Sequence, residues 1–424
     1  MQLRDRRRFG AAGDRAPRGS FTRRPAVIAA MVAVAASVGL AACGSSSPSS
    51  AGSQASAASD IVIGLANNES STGLDIPAYR YGALAAVNYI NAAGGINGHR
   101  LKADVCIDDG SPEGSVNCAN NFVAAHAVVY FAGADTGADA ALPILSGDHI
   151  PYVTEIPWSA LQGTSPDAFA LTTGTTTFDV AGIAQVKALG EKSAAFIGYD
   201  IPSVQTQLPY LKGLAAKQGI KLTIILVPVT NPDWTSVVAT AEADHVKALW
   251  AILQEADCTS MVLAARTSGF TGPIDMGACS AYINAVGNKA AGTYSVWPDY
   301  FPDLAAAAPA SIRAQINIYD KYMKAAGYGS DLNGYATIAF SAMVELSEIM
   351  KELPGTVTGA PLLAALKTAS VPGFMSSGIH CGAHLIPTQP AACSANLLLL
   401  KVVATAHGPA RELQQPGYYD TAAG

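Results

Sequence analysis

The sequence has little positive charge outside its first 42 residues, which hold eight Arg and two Asp. The net charge of the whole chain is −6, and these residues contribute +6, so the remainder is near −12. Beyond residue 42 there is no cluster of basic residues. A strongly acidic chain without a basic patch is not suited to bind nucleic acid, so this class of partner is excluded.

The sequence also lacks a long apolar run near its N-terminus. Residues 25–40, PAVIAAMVAVAASVGL, form an apolar run shorter than the ~20 residues that a membrane-spanning helix needs. A basic region precedes this run and LAAC (40–43) follows it, which is typical of an export signal. We therefore predict a signal peptide over 1–42. The Arg pairs in this segment leave both the general and the twin-arginine export routes open.

LAAC followed by Gly44 resembles the lipobox of bacterial lipoproteins. That resemblance implies that Cys43 is lipidated, becomes the mature N-terminus and attaches the protein to the cell membrane on its outer side. A non-lipidated exported protein cut near the same alanines is the alternative. Residues 43–60 are rich in Ser, Ala and Gly without a hydrophobic period, and we predict a flexible tether there.

Motifs of catalysis and metal binding are scarce. The exported part has no G-x-S-x-G sequence, and its one candidate metal motif is HCGAH at 380–384. Gly382 interrupts this motif, no acid lies nearby, and Cys393 is a natural partner for Cys381. We therefore predict no metal site, no cofactor and no enzymatic activity.

Six cysteines remain after Cys43, an even number that indicates disulfides in an exported chain. Six cysteines allow 15 pairings. Their spacing groups them into three local pairs, and each bond would contribute ~2–4 kcal/mol by restricting the unfolded chain. The predicted bonds are Cys106–Cys118, Cys258–Cys279 and Cys381–Cys393.

From residue 61 onward apolar strands alternate with amphipathic helices, and the alternation starts afresh after TTGTTTFD. Continuous apolar strands separated by helices indicate parallel sheets covered on both faces. The sequence therefore predicts an α/β protein with two doubly wound units, without a detectable repeat between them. The predicted strands are 60–66, 99–110, 127–131, 151–155, 193–200, 221–229, 246–254, 273–277, 292–297 and 396–404. The predicted helices are 76–92, 114–125, 137–147, 178–189, 203–218, 234–243, 259–268, 281–290, 306–325 and 334–352.

Three segments carry a resemblance to a known family. AAVNYINAAGGINGHRLKADVCIDDG, NPDWTSVVATAEADHVKALWAIL and NGYATIAFSAMVEL are similar, in this order, to type I periplasmic (solute) binding proteins of the leucine/isoleucine/valine receptor branch. The resemblance spans about 60–405. It implies two parallel-sheet lobes joined by a three-crossing hinge, with a ligand held in the cleft by lobe closure. The implied N-terminal lobe is 61–175 plus 300–380, and the C-terminal lobe is 177–297 plus 385–424.

In open α/β sheets, ligands bind beyond the carboxyl ends of the strands. This rule and the resemblance together select candidate ligand-binding residues on the loops after the strands. Asp135 has two interpretations: it caps the following helix, or it points into the cleft and disfavours an amino-acid carboxylate. The candidates are Asp75, Tyr79, Asp135, Thr136, Gly137, Glu155, Trp158, Ser159, Asp200, Gln254, Glu255, Ser280 and Tyr282.

These observations favour a lipid-anchored solute-binding protein of an ABC importer. We expect a monomer that binds a small polar solute, on account of the acidic cleft, and presents it to a permease in the membrane. A second hypothesis is a ligand-sensing ectodomain that reports to a membrane signalling protein. A third is a hydrolase that uses Asp135 and Glu155 as a carboxylate pair.

Overall fold

The computed structural model describes residues 59–69, 75–332 and 334–422. The predicted signal peptide, Cys43 and nearly all of the tether therefore lie outside the described residues. So does the central part of the loop that follows the first strand, 70–74.

The first sheet contains five parallel strands in the order β2-β1-β3-β4-β5. β1 is almost entirely buried because its apolar residues are covered on both faces, as parallel sheets require. Its strands are β1 Ile61–Asn68, β2 Leu101–Asp108, β3 Tyr130–Ala132, β4 Tyr152–Thr154 and β5 Ala168–Ala170. Its helices are α1 Pro77–Ala92, α2 Pro112–Ala124, α3 Leu142–Gly147 and α4 Ala160–Thr164.

The second sheet has the order β14-β13-β10-β9-β8-β6-β7, with β15 paired to β13. Its strands are β6 Ser193–Tyr199, β7 Lys221–Val227, β8 Ala248–Ala251, β9 Ile274–Asp275, β10 Thr293–Trp297, β13 Asn396–Thr405, β14 Gly408–Leu413 and β15 Tyr419–Asp420. Its helices are α5 Thr175–Ala188, α6 Pro202–Lys217, α7 Trp234–Ala243, α8 Glu255–Ser268 and α9 Tyr282–Val286.

Between β10 and β13 the chain returns to the first sheet. It forms α10 Ala310–Ala325, α11 Gly334–Lys351, α12 Gly359–Leu366 and the short strands β11 Ser370–Val371 and β12 Ile379–His380. Helix α11 packs along α1, and its buried residues join the largest hydrophobic core. This returning segment therefore completes the layer that covers one face of the first sheet.

The predicted fold class is confirmed: two doubly wound α/β lobes are joined by three crossings of the chain. The crossings follow β5, β10 and β12. The first and third lie side by side, since Ala170 pairs with Ala392. Gln389 of the third crossing also accepts hydrogen bonds from the backbone N–H and the hydroxyl of Thr176, at 3.2 and 3.1 Å. The exact lobe boundaries stay a prediction.

Several elements differ from the sequence-based expectation. The predicted helix over 137–147 is a 3₁₀ turn at Ala138–Ala140 followed by α3, because Pro143 cannot donate the backbone bond that would continue the first turn. The second sheet is not purely parallel, since β13 pairs antiparallel with β10 and β14. Strands β13 and β14 are joined by a tight hairpin between Thr405 and Gly408. A connection this short can join antiparallel strands but not parallel ones. Elements α4, β5, α12, β11, β12, β14 and β15 were not predicted.

The sulfur atoms of all three predicted cysteine pairs lie at bonding distance. The S–S distances are 1.94 Å for Cys106–Cys118, 1.84 Å for Cys258–Cys279 and 2.06 Å for Cys381–Cys393. Within the described ranges, no helix combines the length and the apolar character needed to cross a membrane.

Candidate functional site

Glu155 follows β4 directly, at the carboxyl end of the first sheet. Its backbone carbonyl accepts hydrogen bonds from the N–H groups of Thr172 and Thr173, at 3.2 and 3.4 Å, which fixes the loop. Its side chain is 0% exposed, yet neither carboxylate oxygen accepts a hydrogen bond from another described residue. A buried carboxyl group without such partners is rare in folded proteins, which makes Glu155 the leading candidate for a functional group.

Tyr79 of α1 is near enough to Glu155 for the two side chains to interact electrostatically, and it is equally buried. Its hydroxyl also has no hydrogen-bond partner among the described residues. The turn after β3 approaches it closely at Gly133, where a Cβ atom would come within 2.7 Å of the Tyr79 Cβ. Glycine at 133 thus allows the FAGADTG turn to pack directly against Tyr79. Burial, with the charge of Glu155, raises the pKa of the Tyr79 hydroxyl well above its usual range.

The charge environment of Glu155 is acidic. Burial raises the pKa of its carboxyl group well above the ordinary value, and the nearby charge of Asp299 raises it further. Asp299 belongs to the second crossing and is itself fully buried, which raises its pKa to about 7. Burial therefore favours the protonated form of Glu155, which can donate a hydrogen bond.

The N-terminus of α11 connects the two lobes at this level. The backbone N–H of Gly334 donates to Ser280 Oγ of the C-terminal lobe at 3.2 Å. The next residue, Tyr335, packs its ring 5.1 Å from that of Tyr79 and 5.4 Å from that of Trp297, at the end of β10. Burial and the charges of Glu255 and Tyr199 raise the pKa of Tyr335, so groups of both lobes meet around its ring.

Glu255 differs from its predicted role in a cleft loop. It begins α8, and its carboxylate accepts hydrogen bonds from the backbone N–H groups of Ser280, Ala281 and Tyr282 at 2.6 to 3.2 Å. The Ser280 hydroxyl donates to it at 3.0 Å. Glu255 thus stabilises the start of α9, where a negative charge is favourable, and is not available to a ligand.

Tyr282 does not lie in the cleft, where the sequence interpretation expected it. Its hydroxyl lies 2.6 Å from Thr293 Oγ1, inside the core of the C-terminal lobe. Ser280, in contrast, does lie where the lobes meet, through its contact with Gly334.

Asp135 does not point into the cleft as one interpretation supposed. Its carboxylate is 0% exposed and accepts hydrogen bonds from Ser115 Oγ and the Tyr130 hydroxyl, both at 2.6 Å. Burial raises its pKa, while these bonds and the N–H groups of Gly137 and Ala138 lower it. The N–H groups of Gly137 and Ala138 begin the following turn. Their contacts with Asp135 agree with the other interpretation, in which Asp135 stabilises the start of that turn. The suggested carboxylate pair has no support from these contacts, because both oxygens of Asp135 are already used by Ser115 and Tyr130.

The other candidates of the N-terminal lobe lie on the surface or have structural contacts. Asp75 is exposed just before α1. Thr136 is exposed and donates to the carbonyl of Gly110 at 2.9 Å, and Gly137 packs closely against the backbone of the same loop. Ser159 accepts a hydrogen bond from the N–H of Gln162 at 3.1 Å and so caps α4.

Three further candidates remain. Trp158 is half-buried, and its indole N–H has no partner among the residues described here. Asp200 is exposed and accepts a hydrogen bond from Gln205 at 2.5 Å. Gln254 precedes α8, and its backbone N–H donates to the Tyr199 hydroxyl at 3.1 Å.

Two arginines near the site were overlooked, and both are already neutralised. Arg80 of α1 forms two 2.7 Å contacts with Glu69. Arg411 of β14 pairs with Asp303 at 3.0 Å, donates to the Ser280 carbonyl and stacks 3.9 Å above the ring of Phe301. Sequence reasoning also missed Tyr335 and Asp299. Only the position of Tyr335 at the start of a predicted helix could have indicated it.

The HCGAH segment has structural roles. His380 Nδ1 lies 2.8 Å from Ser370 Oγ, and His384 Nδ1 lies 3.2 Å from the carbonyl of Pro390. Cys381 is bonded to Cys393. In the part of the chain that the structure describes, no group of three His, Cys, Asp or Glu side chains could hold a metal ion.

Two α/β lobes, linked by three crossings and meeting at a cluster of buried polar and aromatic groups, define a class of two-lobed binding proteins. The chain belongs to the periplasmic binding protein family, whose model matches residues 60–393. Members of this family are non-enzymatic solute-binding proteins. A search of curated proteins gave no match.

Solved structures show the same fold at low sequence identity. An ABC transporter substrate-binding protein from Sphaerobacter thermophilus has a TM-score of 0.71 and 15% identity, over 86% of this chain and 100% of the other. A solute-binding protein from Rhodopseudomonas palustris BisB5, in complex with 3,4-dihydroxybenzoic acid, has a TM-score of 0.70 and 17% sequence identity. The match covers 86% of this chain and 98% of the other. The branched-chain amino acid transporter substrate-binding protein LivJ from Streptococcus pneumoniae, in complex with isoleucine, has a TM-score of 0.66 and 15% sequence identity. The match covers 84% of this chain and 99% of the other.

Proposed function

We propose that this protein is the lipid-anchored, extracytoplasmic solute-binding protein of an ABC importer. It captures a small polar solute between its lobes, closes over it and presents it to a permease in the membrane. The lobes are 61–175 plus 300–380 and 177–297 plus 385–424. Cys43 carries the lipid, and residues 43–60 form the tether.

The observation that carries this proposal is the Glu155 carboxyl group. It is completely buried, its oxygens have no hydrogen-bond partner from another described residue, and it lies at the carboxyl end of the first sheet. That is where ligands bind in open α/β folds. Tyr79 and Tyr335 extend the same cluster toward the C-terminal lobe, so a solute held by Glu155 would contact both lobes. Such contacts would favour the closed arrangement over the open one.

The structurally similar proteins support the expected size of the solute. Two of them were solved with 3,4-dihydroxybenzoic acid and with isoleucine, both small molecules with polar groups. We carry over only the size class and leave the identity of the solute to experiment.

A thermal-shift screen tests the proposal. The exported protein would be heated with amino acids, amides, polyamines, sugars, short peptides and hydroxybenzoates. A solute at 100 times its dissociation constant should stabilise the native state by about 2.7 kcal/mol. X-ray scattering of the stabilised complex should show a more compact particle. A stabilising solute that leaves the particle unchanged would contradict capture by lobe closure.

The lipid anchor has its own test. Replacing Cys43 with Ser should move the protein from the membrane fraction into the soluble fraction of lysed cells. Replacing Ser47 with Ala is the matched control and should leave the protein in membranes. Continued membrane retention of the Cys43→Ser protein would contradict lipidation at this residue.

A further inference from the structure

Glu155 and Tyr79 form a pair of buried polar groups that the fold does not satisfy. The carboxyl group and the hydroxyl both lie out of water, and neither has a hydrogen-bond partner from another described residue. Buried polar groups almost always have hydrogen-bond partners, and each buried group that lacks a partner lowers the stability of the folded state. Two such groups that interact electrostatically at the carboxyl end of a sheet indicate that their partner comes from outside the chain.

Among the residues that the structure describes, no positively charged side chain is found to lower the pKa of Glu155. The charged group that acts on its carboxyl is Asp299, another acid. The two arginines near the cleft are already paired, Arg80 with Glu69 and Arg411 with Asp303. A solute group that meets Glu155 therefore enters surroundings with acidic side chains and no available cation among those neighbours.

We propose that Glu155 and Tyr79 are specificity-determining residues that select solutes presenting an uncharged polar group, such as a hydroxyl, a phenol or an amide. This inference rests on the proposed solute-binding function and names the class of solute. A carboxylate at this position would add a negative charge beside Asp299 with nothing to balance it. An ammonium group would require Glu155 to release its proton first, which burial opposes.

Neutral polar groups meet neither obstacle. A protonated carboxyl group donates one hydrogen bond and accepts others, and a tyrosine hydroxyl does the same. A hydroxyl or amide of the solute can therefore satisfy both groups without a change in protonation. The half-buried ring of Tyr335, 5.1 Å from the Tyr79 ring, gives the same solute an aromatic surface for an apolar ring.

Infrared spectroscopy tests the state of Glu155 without any ligand. The difference spectrum between the unmodified protein and Glu155→Gln at pH 7 should contain the carbonyl band of a protonated carboxylic acid. Glu348→Gln is the control, because Glu348 is exposed and ion-paired with Lys351 at 2.6 Å, and should remove an ionised carboxylate band instead. An ionised band lost in Glu155→Gln would overturn the inference.

Three probes that share one ring and differ in charge test the selectivity. They are benzyl alcohol, benzoate and benzylamine, each with a single polar group, titrated by calorimetry at pH 7. The alcohol should bind at least tenfold more tightly than either charged probe. Glu155→Gln should bind the alcohol within tenfold of the unmodified protein, because an amide also donates and accepts hydrogen bonds. Glu155→Leu should bind the alcohol more than tenfold more weakly.

Two outcomes separate this inference from the proposed function. If a solute from the screen binds and closes the lobes, but the charged probes bind more tightly than the alcohol or no probe binds, the inference fails and the function stands. If no solute or probe binds at all, both fail together. Loss of affinity in Glu155→Gln equal to that in Glu155→Leu would also overturn the inference, because an uncharged acid should be replaceable by its amide.

Discussion

Replacing Glu345 with Gln should remove a large part of the pH dependence of stability. Glu345 lies on α11 and is 1% exposed. Its Oε1 accepts hydrogen bonds from the backbone N–H of Phe374 at 3.0 Å and the hydroxyl of Ser376 at 2.5 Å. Burial, and then the charge of Asp299, raise the pKa of this carboxyl from 4.5 to about 8. A glutamine keeps the Oε1 acceptor and cannot ionise.

The sign follows from proton binding in the two states. Above pH 4.5 the unfolded chain releases the proton of Glu345, whereas the folded protein keeps it until about pH 8. The free energy of unfolding therefore falls as pH rises through this window, by about 1.4 kcal/mol per pH unit for one group. Between pH 5 and pH 8 the contribution of Glu345 amounts to about 3 kcal/mol.

Urea unfolding followed by tryptophan fluorescence at pH 5, 6, 7 and 8 measures this contribution. The unmodified protein should lose stability toward pH 8, and Glu345→Gln should lose about 3 kcal/mol less over the same range. Glu348→Gln, a change at an exposed site on the same helix, should keep the slope of the unmodified protein. An unchanged slope in Glu345→Gln would refute the claim that this carboxyl is held neutral by burial.

Other predictions concern the junction between the lobes and the disulfides. Arg411→Ala should destabilise the protein by about 1–3 kcal/mol, because it removes the hydrogen bond to the Ser280 carbonyl and uncovers the ring of Phe301; a loss below 0.5 kcal/mol in urea unfolding would contradict this. Arg266→Ala, which removes hydrogen bonds only to backbone carbonyls, should cost less. Non-reducing peptide mapping should find no free thiol in the folded exported protein, and a peptide linking Cys118 to Cys258 would overturn the assigned pairs Cys106–Cys118, Cys258–Cys279 and Cys381–Cys393.

Much of the fold could be predicted because it depends on local patterns. The apolar residues at helical spacing before Gly94 predict α1 within one residue of its observed bounds, and 234–243 coincides with α7. These segments bury one face against a sheet, so periodicity and terminating residues are enough to locate them. Short elements such as β5 and α4 were missed because three to five residues do not carry a period.

The candidate site was harder to predict, because side-chain direction depends on distant partners. Glu255 follows a strand and is acidic, but residues 280–282 come alongside it and use both its oxygens. Asp135 is turned inward by Ser115 of another helix. Asp299, which acts on Glu155, lies two residues beyond β10, on a crossing to which the strand-end rule was not applied. Glu155 was selected by its position after a strand, and its role in ligand binding stays a prediction; its lack of partners is visible only in the folded chain.

The central claim is that the chain binds one unchanged solute between its lobes. The most direct measurement is to incubate the protein with the most stabilising solute of the screen, remove the excess by gel filtration, denature the complex and identify the released molecule by mass spectrometry. The account predicts one molecule per chain with its mass unaltered, and loss of this retention in Glu155→Leu. A released molecule of altered mass, or equal retention by Glu155→Leu, would contradict it.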